Sequence, residues 1–245
     1  MNAEEYLKLA EVEDRMWYFR ALHDHVRQSL AAMNLAPGSR VLDAGCGTGG
    51  LIIRARQWPQ QFSWVGIDFM ALACQLARER CGAEVDIREA NITALPFADA
   101  TLDAVISLDV VSMVYDPEVA VAEFFRVLRP GGVAVINLPA YMWMWSYHDD
   151  AVHTKRRYTR REVADLVRTA GFTVPLLTHW NSLLFPLVWA RRKLFRSDAD
   201  TSDVKEYPGP LDAILGGIMS LELAWIRMGG IWPWGTSVLA VARKP

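Results

Sequence analysis

The sequence lacks an excess of charge, closely spaced cysteines and an apolar run at its amino terminus. Its 245 residues include 26 basic and 28 acidic side chains, so it has no basic field to attract nucleic acids. Cys46, Cys74 and Cys81 fit no zinc-site spacing, and we expect reduced thiols in a cytoplasmic protein. Because residues 1–5 are acidic, we expect no secretory signal peptide.

The most informative segment is residues 41–50, VLDAGCGTGG, an apolar strand that runs through an acid into alternating glycines. The glycines allow a sharp turn and the close approach of a ligand to the backbone. A second acid, Asp68, ends the next apolar segment about 20 positions later. This frame indicates the nucleotide cradle of a doubly wound α/β domain, in which the second acid binds ribose hydroxyls.

The glycine pattern is ambiguous about the cofactor. Gly45, Gly47 and Gly50 also match the dinucleotide pattern G-x-G-x-x-G, which leaves a nicotinamide cofactor open. Asp43 precedes the turn, where its carboxylate repels a pyrophosphate and attracts a sulfonium or ammonium cation. The acid therefore favours a cationic cofactor.

Further motifs follow in order: Leu95-Pro96-Phe97, the apolar strand at 102–107, and the segment RVLRPGG at 126–132. With them, the chain resembles the class I S-adenosylmethionine-dependent methyltransferases that act on small molecules, over roughly residues 15 to 180 and the last strand. The resemblance implies S-adenosylmethionine as the cofactor and S-adenosylhomocysteine as its product.

The resemblance also implies which residues bind the cofactor. They are Asp43, Gly45, Cys46 and Gly47 at the methionine part, Asp68 at the ribose, Phe69, Met70, Asn91 and Ile92 at the adenine, Leu108 and Asp109 closing over the ligand, and Tyr18 and Arg20 near the carboxylate. Asn91 stands where the family usually has an acid, and its amide oxygen still accepts a hydrogen bond. Ser112-Met113 stands where the family often has Glu-His, so a base has to come from elsewhere.

Alternating strands and helices predict one α/β domain over 1–245, a doubly wound Rossmann-like sheet with helices on both faces. The expected sheet has seven strands, six parallel and the seventh antiparallel as in the resembling family. We expect an N-terminal helical cap (1–36), a core (37–179 and 237–245) and a helical insertion between strands six and seven (180–236). The predicted strands are 40–44, 63–67, 84–88, 103–108, 132–138, 172–178 and 238–242, and the predicted helices are 3–34, 49–57, 70–81, 117–128, 160–170, 183–195 and 211–228.

The insertion is the most individual part of the chain, with a polar linker at 197–210 between its two apolar helices. We expect the helices to pack on the domain. A lid over an apolar substrate, a homodimer face and a peripheral membrane contact remain open. A membrane span at 171–190 is disfavoured by Pro175, Pro186 and His179.

His148 and His153 are the candidate catalytic bases, because they follow strand five and a hydroxyl acceptor must lose a proton. Asp149 and Asp150 lie between them and are able to orient an imidazole. The alternative is one surface histidine and one structural histidine. Their spacing fits no metal signature, and we expect no metal.

Four further residues are candidates for substrate binding: Met113, Tyr141, Trp145 and Arg157. The alternating aromatic residues of 141–147 predict a strand extension with one side on the pocket and the other in the core. Arg157 is interpreted either as an anion-binding group or as a clamp onto the sheet.

The sequence thus predicts a methyltransferase that acts on a small, apolar acceptor and binds no nucleic acid. O-methylation is favoured, while N- and C-methylation remain open. Two other functions stay possible: a protein that binds S-adenosylmethionine and catalyses a non-methylating reaction, and a nicotinamide-dependent dehydrogenase.

Overall fold

The structure is a computed structural model that describes residues 3–194 and 203–245. Its strands are β1 (Arg40–Ala44), β2 (Ser63–Asp68), β3 (Asp86–Glu89), β4 (Leu102–Leu108), β5 (Leu128–Pro139), β6 (Thr173–Trp180) and β7 (Ser237–Arg243). Its helices are α1 (Ala3–Val12), α2 (Trp17–Ala32), α3 (Gly50–Ala55), α4 (Ala71–Cys81), α5 (Pro117–Val127), α6 (Tyr147–Ala151), α7 (Arg160–Thr169), α8 (Phe185–Leu194) and α9 (Gly209–Arg227).

The strands form one sheet in the order β3-β2-β1-β4-β5-β7-β6. All neighbouring pairs are parallel except those of β7, which is antiparallel to β5 and β6. The predicted seven-stranded sheet is therefore confirmed. Strand order reverses between β1 and β4, and the crevice at such a point, beyond the carboxyl ends of the strands, is where α/β sheets bind ligands.

Both faces of the sheet are covered, which explains why its central strands are almost uniformly apolar. One face packs against α5 and α7, and the other packs against α2, α3 and α9. β1 and β4 lie in the middle, and Val41, Leu42 and Ile106 are completely buried.

The N-terminal segment differs from the prediction of a single helix over 3–34. The chain breaks between α1 and α2, and Met16 is extended (φ −64°, ψ 129°). The cause is Glu13, which is buried, accepts a hydrogen bond from the Thr48 hydroxyl and pairs with Arg80 of α4. This long-range anchor folds α1 over the glycine loop.

The predicted strand extension over 141–147 is also wrong. Tyr141 lies in the left-handed region (φ +59°) and turns the chain out of the sheet into a 3-10 turn, Met142–Met144. A reciprocal capping box between Ser146 and Asp149 then begins α6. These side chains therefore do not alternate across a strand.

The insertion contains the two predicted helices, as α8 and α9. The end of the first predicted helix at Phe195, and the linker from 197 through 202, lie outside the described residues. On α9, Glu222 is completely buried and its carboxylate accepts a hydrogen bond from the Leu183 amide at 2.6 Å. Burial raises the pKa of Glu222, and the nearby amides of residues 181–183 oppose that rise. This one acid fastens α9 to the segment that follows β6.

Replacing Glu222 with alanine should lower the free energy of unfolding by about 1–3 kcal/mol, because the Leu183 amide loses its acceptor. Urea unfolding measures the loss. The control is Glu206→Ala, whose carboxylate is exposed and lies 3.5 Å from Arg15, and for which we expect a change within about 0.5 kcal/mol. Equal losses in the two variants would show that the buried contact contributes nothing specific.

Candidate functional site

A cavity of about 800 Å³ lies at the carboxyl ends of β1, β2 and β4, where the strand order reverses. Its floor is the glycine loop after β1. One side is closed by α1 and α2, and the other by the segments that follow β4 and β5 together with α8. Most of the lining is apolar, with a small set of carboxylates, histidines and arginines.

The glycine loop requires residues without a Cβ at two places. Gly45 has φ +98°, and a side chain there would overlap Val110. Gly50 begins α3 directly beneath Glu13, and a Cβ there would overlap the Glu13 carboxyl group. The loop amides of Gly45 and Cys46 both donate to the Ile67 carbonyl at 2.8 Å. The loop is thus tied to β2 and leaves room for a ligand above it.

Asp43 is buried beside this loop, with 3% of its surface exposed. Burial, together with the nearby carboxylates of Glu13 and Asp68, raises the pKa of Asp43 to about 8. No lysine or arginine among the described residues forms an ion pair with it. A bound cation would stabilise the ionised form of this carboxyl group.

Asp68 ends β2 and holds several donors together. Its carboxylate accepts hydrogen bonds from the amides of Gly47 and Met70, each at 3.0 Å, and from the Tyr6 hydroxyl at 3.3 Å. Burial raises its pKa, and these donors oppose the rise. The Tyr6 hydroxyl, brought by α1, occupies an acceptor that the resemblance assigns to a ribose hydroxyl.

Asp109 follows β4 with φ +65° and points into the cavity. Burial raises its pKa to about 7, although the Asn137 amide (2.8 Å) and the Tyr18 hydroxyl (3.4 Å) both donate to it. Tyr18 reaches the cavity from α2 and stacks on Trp180 with ring centroids 5.1 Å apart. Asp109 and Tyr18 therefore form one hydrogen-bonded group at the cavity wall.

Arg20, in contrast, does not line the cavity. Its guanidinium pairs with Asp212 of α9 at 2.7 Å and donates to the Arg15 carbonyl. This ion pair joins α2 to α9.

The two candidate histidines lie at the end of the cavity formed by the segment after β5. His148 is held by the Asp203 amide, which donates to its Nδ1 at 3.1 Å. Burial, and secondarily the charge of Arg192, lowers the pKa of His148 to about 4. His153 lines the cavity on a left-handed turn (φ +61°) and is exposed to solvent, and its ring has no hydrogen-bond partner in the described ranges.

Arg157 lines the cavity and is also a clamp. Its guanidinium pairs with Asp149 at 2.7 Å, with both side chains almost completely buried, and donates to the Ala140 carbonyl at 2.8 Å. Burial lowers the pKa of Arg157 in spite of this partner. Of the two predicted roles, these contacts fit the one in which Arg157 holds its segment to the end of the sheet. Asp149 pairs with Arg157 and with neither histidine.

Tyr141 and Trp145 lie outside the cavity. The Tyr141 hydroxyl contacts Nε2 of His179 at 3.0 Å, and the Trp145 indole donates to Asp150 at 3.0 Å. The left-handed turn at Tyr141 takes both residues out of the strand, and the Tyr141 ring stacks on the buried His179. Met113, from the 3-10 turn Val111–Met113, does line the cavity.

Most of the predicted residues meet in this one cavity. They are Tyr18, Asp43, Gly45, Cys46, Gly47, Asp68, Phe69, Met70, Asn91, Ile92, Leu108, Asp109, Met113, His148, His153 and Arg157. The sequence analysis missed several cavity residues, namely Tyr6, Glu13, Arg191, Arg192 and Asp203. No local pattern marks these five, because long-range packing of α1 and α8 brings most of them to the site. Among the described residues, no group of three metal-binding side chains converges.

Comparison with known proteins agrees with this geometry. Residues 42–136 match the family described as "Methyltransferase domain". The chain is 34% identical to a "Probable S-adenosylmethionine-dependent methyltransferase" of Mycolicibacterium smegmatis over 168 residues, which cover 66% of this chain and 61% of the relative. It is 36% identical to the malonyl-[acyl-carrier protein] O-methyltransferase of Enterobacter lignolyticus over 134 residues, covering 52% and 51%. The matches thus span only about half to three-fifths of these relatives.

The fold has a counterpart among solved structures. A chain of the complex between the Haloferax volcanii Trm112 methyltransferase activator and a methyltransferase superposes with a TM-score of 0.66. The alignment covers 98% of both chains at 21% identity, so it bears on the fold alone. The matched domain, the order of its strands and the glycine loop lead to one conclusion: residues 42–136 belong to the methyltransferase-domain family, and the chain is similar to class I S-adenosylmethionine-dependent methyltransferases, whose methyl donor is S-adenosylmethionine.

Proposed function

We propose that the protein methylates an oxygen atom of a small, largely apolar acceptor, with His153 as the base that takes the acceptor's proton. The observation that carries this proposal is the continuity of one cavity. It runs from the acidic glycine loop, which suits a cationic donor, to His153, whose ring has no hydrogen-bond partner among the described residues.

The donor end fits S-adenosylmethionine in three respects. Gly45 gives the loop the positive φ of its sharp turn, Asp68 offers a carboxylate for ribose hydroxyls, and Asp43 is a buried acid with no cationic partner among the described residues. Phe69 and Met70 follow Asp68 and would border the adenine. When bound, the cofactor supplies an electrophilic methyl group on a positively charged sulfur.

Apolar and charged side chains share the acceptor end, where Arg157, Arg191 and Arg192 lie beside apolar residues. Met113, Val114, Val152 and Val188 line the cavity there. Methyl transfer removes the charge on sulfur as the new bond forms, so an apolar, water-poor wall does not oppose the reaction. Holding the nucleophile in line with the methyl carbon, at about 3 Å, is the main contribution expected from such a wall.

The hydrogen bond to His148 favours His153 as the base. Its Nδ1 already accepts the Asp203 amide, so the neutral ring carries its proton on Nε2 and acts as a donor. His153 has a free ring nitrogen beside the same space. In the proposed step the acceptor oxygen bonds to the methyl carbon as the carbon–sulfur bond breaks, and the hydroxyl proton moves to His153. His148 is a positioning residue that donates to the acceptor.

Calorimetric titration with S-adenosylmethionine, S-adenosylhomocysteine and NAD tests the donor end first. We expect micromolar binding of the first two ligands and no binding of NAD. Formation of S-adenosylhomocysteine with a panel of apolar hydroxylated acceptors then tests the reaction. Binding of S-adenosylmethionine with consumption of the acceptor but no methylated product would instead support a non-methylating reaction. Binding of NAD alone would overturn the proposal.

A further inference from the structure

Helix α9 is apolar on the side that faces away from the domain. Ile214, Leu221, Trp225 and Met228 follow one another at helical spacing with 61%, 67%, 47% and 75% of their surfaces exposed. An ordinary surface helix presents charged and polar side chains there. The only charged residues within the helix before Arg227 are Asp212 and Glu222, and both make contacts directed into the protein.

The opposite side of α9 holds the helix to the domain. Leu215, Met219 and Ile226 are buried in the core beside α2. Asp212 accepts hydrogen bonds from the Trp17 amide (2.8 Å) and from Arg20 (2.7 Å). The helix is long and apolar enough to cross a bilayer, with a mean hydropathy of 1.3. These inward contacts instead make it lie along the protein, in the arrangement of a helix that rests on a surface.

The exposed apolar area extends beyond α9. Leu183 adjoins the helix through the bond from its amide to Glu222, and the Ser182 hydroxyl donates to the Trp234 carbonyl. We call the combined area the apolar surface. Its residues, each 42–75% exposed, are Leu183, Leu187, Trp189, Ile214, Leu221, Trp225, Met228, Ile231 and Trp234. Soluble monomers rarely leave contiguous areas of this kind uncovered.

Cations lie at the border of the apolar surface. Arg227 belongs to α9, and Lys193 follows Trp189 on α8. Arg160 lies close enough to Tyr141 to lower its pKa, against the larger effect of burial. The Tyr141 ring stacks on Trp143, which lines a groove together with Trp189 of the apolar surface. Within the part of the chain that the structure describes, none of these three cations pairs with a carboxylate. The border is therefore positive although the whole chain carries a net charge of −2.

We propose that the apolar surface docks on an anionic membrane. Exposed tryptophans prefer the boundary between water and hydrocarbon, and the cations around them, which have no carboxylate partner among the described residues, attract anionic head groups. A second copy of the chain fits this surface less well. In a symmetric dimer Arg227 and Lys193 would approach their own copies or each other, and like charges would oppose the contact.

Co-sedimentation with lipid vesicles tests the proposal. The vesicles contain phosphatidylcholine alone, or phosphatidylcholine with about a third of phosphatidylglycerol. We expect binding to the anionic vesicles that weakens with added salt, and at least about tenfold weaker binding by the double variant Leu221→Ser/Trp225→Ser. Arg227→Gln should weaken binding by about fivefold. The matched control is Val119→Ser on α5, which removes a side chain with 47% exposure from another part of the molecule.

Every outcome bears on the proposal. Absence of binding to anionic vesicles, or equal binding by the double variant and the wild type, overturns it. So does light scattering that shows a wild-type dimer which Leu221→Ser/Trp225→Ser converts to a monomer. Thermal unfolding shows that each variant is folded. Titration with S-adenosylmethionine without lipid is expected to be unchanged, so failure of docking and failure of the proposed methyl transfer are distinguishable.

Discussion

Replacing His153 with alanine should lower the rate of methyl transfer by about 10²- to 10⁴-fold and leave the Kd for S-adenosylmethionine nearly unchanged. The imidazole is expected to take the acceptor's proton in the transition state, and it lies on a turn that makes no contact needed for the donor. Single-turnover measurement across a range of pH is the test. The wild-type rate should rise with pH as the imidazole loses its proton and then level off, and the variant should lose that rise.

Two comparisons separate a base from a residue with a structural role. Added imidazole should restore part of the rate in His153→Ala, because a soluble base can enter the vacated space. His148→Gln should raise the KM for the acceptor more than it lowers kcat, since we expect His148 to donate a hydrogen bond and not to accept the proton. If His153→Ala keeps the wild-type rate and pH dependence, the assignment of the base is wrong.

Replacing Asp43 with asparagine should weaken binding of S-adenosylmethionine by at least about 30-fold, equivalent to about 2 kcal/mol. Within the described part of the chain the buried carboxylate has no cationic partner, and the amide of asparagine has the same shape without the charge. S-adenosylhomocysteine lacks the sulfonium charge and should lose less affinity. Asp165→Asn, which removes an exposed carboxylate from α7, is the control for charge alone.

The pH dependence of binding sharpens this prediction. Asp43 has a pKa of about 8 in the free protein, so near pH 6 it is mostly protonated and must release its proton to pair with a cation. The affinity of the wild type should therefore rise between about pH 6 and 7.5, by at most about tenfold per pH unit. Asp43→Asn should show no such rise, and a parallel rise in the variant would contradict the role of Asp43.

Stability without ligand gives an independent readout of the same carboxyl group. The pKa of Asp43 is raised in the folded protein. The contribution of Asp43 to the free energy of unfolding is therefore greatest at low pH and is lost as the pH rises through about 8. Asp43→Asn should consequently unfold at a higher temperature than the wild type near pH 8. A variant that binds weakly but is more stable cannot owe its weak binding to misfolding.

The strands and the glycine loop were predictable because their signals are local. Residues 41–50 combine an apolar strand with residues that tolerate positive φ, and both properties belong to the segment itself. The same holds for Asp68, which ends a strand and so must reach the carboxyl edge of the sheet. The one strand prediction that failed, the extension over 141–147, failed for a local reason. The left-handed turn at Tyr141 and the capping box at Ser146 and Asp149 overrode an alternating aromatic pattern.

Sequence alone therefore determined the strands, the cradle and the acids that line it, since periodicity and strand ends place these features without knowledge of distant partners. The antiparallel direction of the seventh strand was implied only by the resemblance to the family. Only the tertiary structure decided three further features. Glu13 holds α1 over the loop, Arg20 pairs with Asp212 and does not line the cavity, and the Asp203 amide donates to Nδ1 of His148. Each of these contacts joins residues that are at least 55 positions apart. Which of two neighbouring polar groups faces a ligand depends on such pairings, and they arise only when the elements pack.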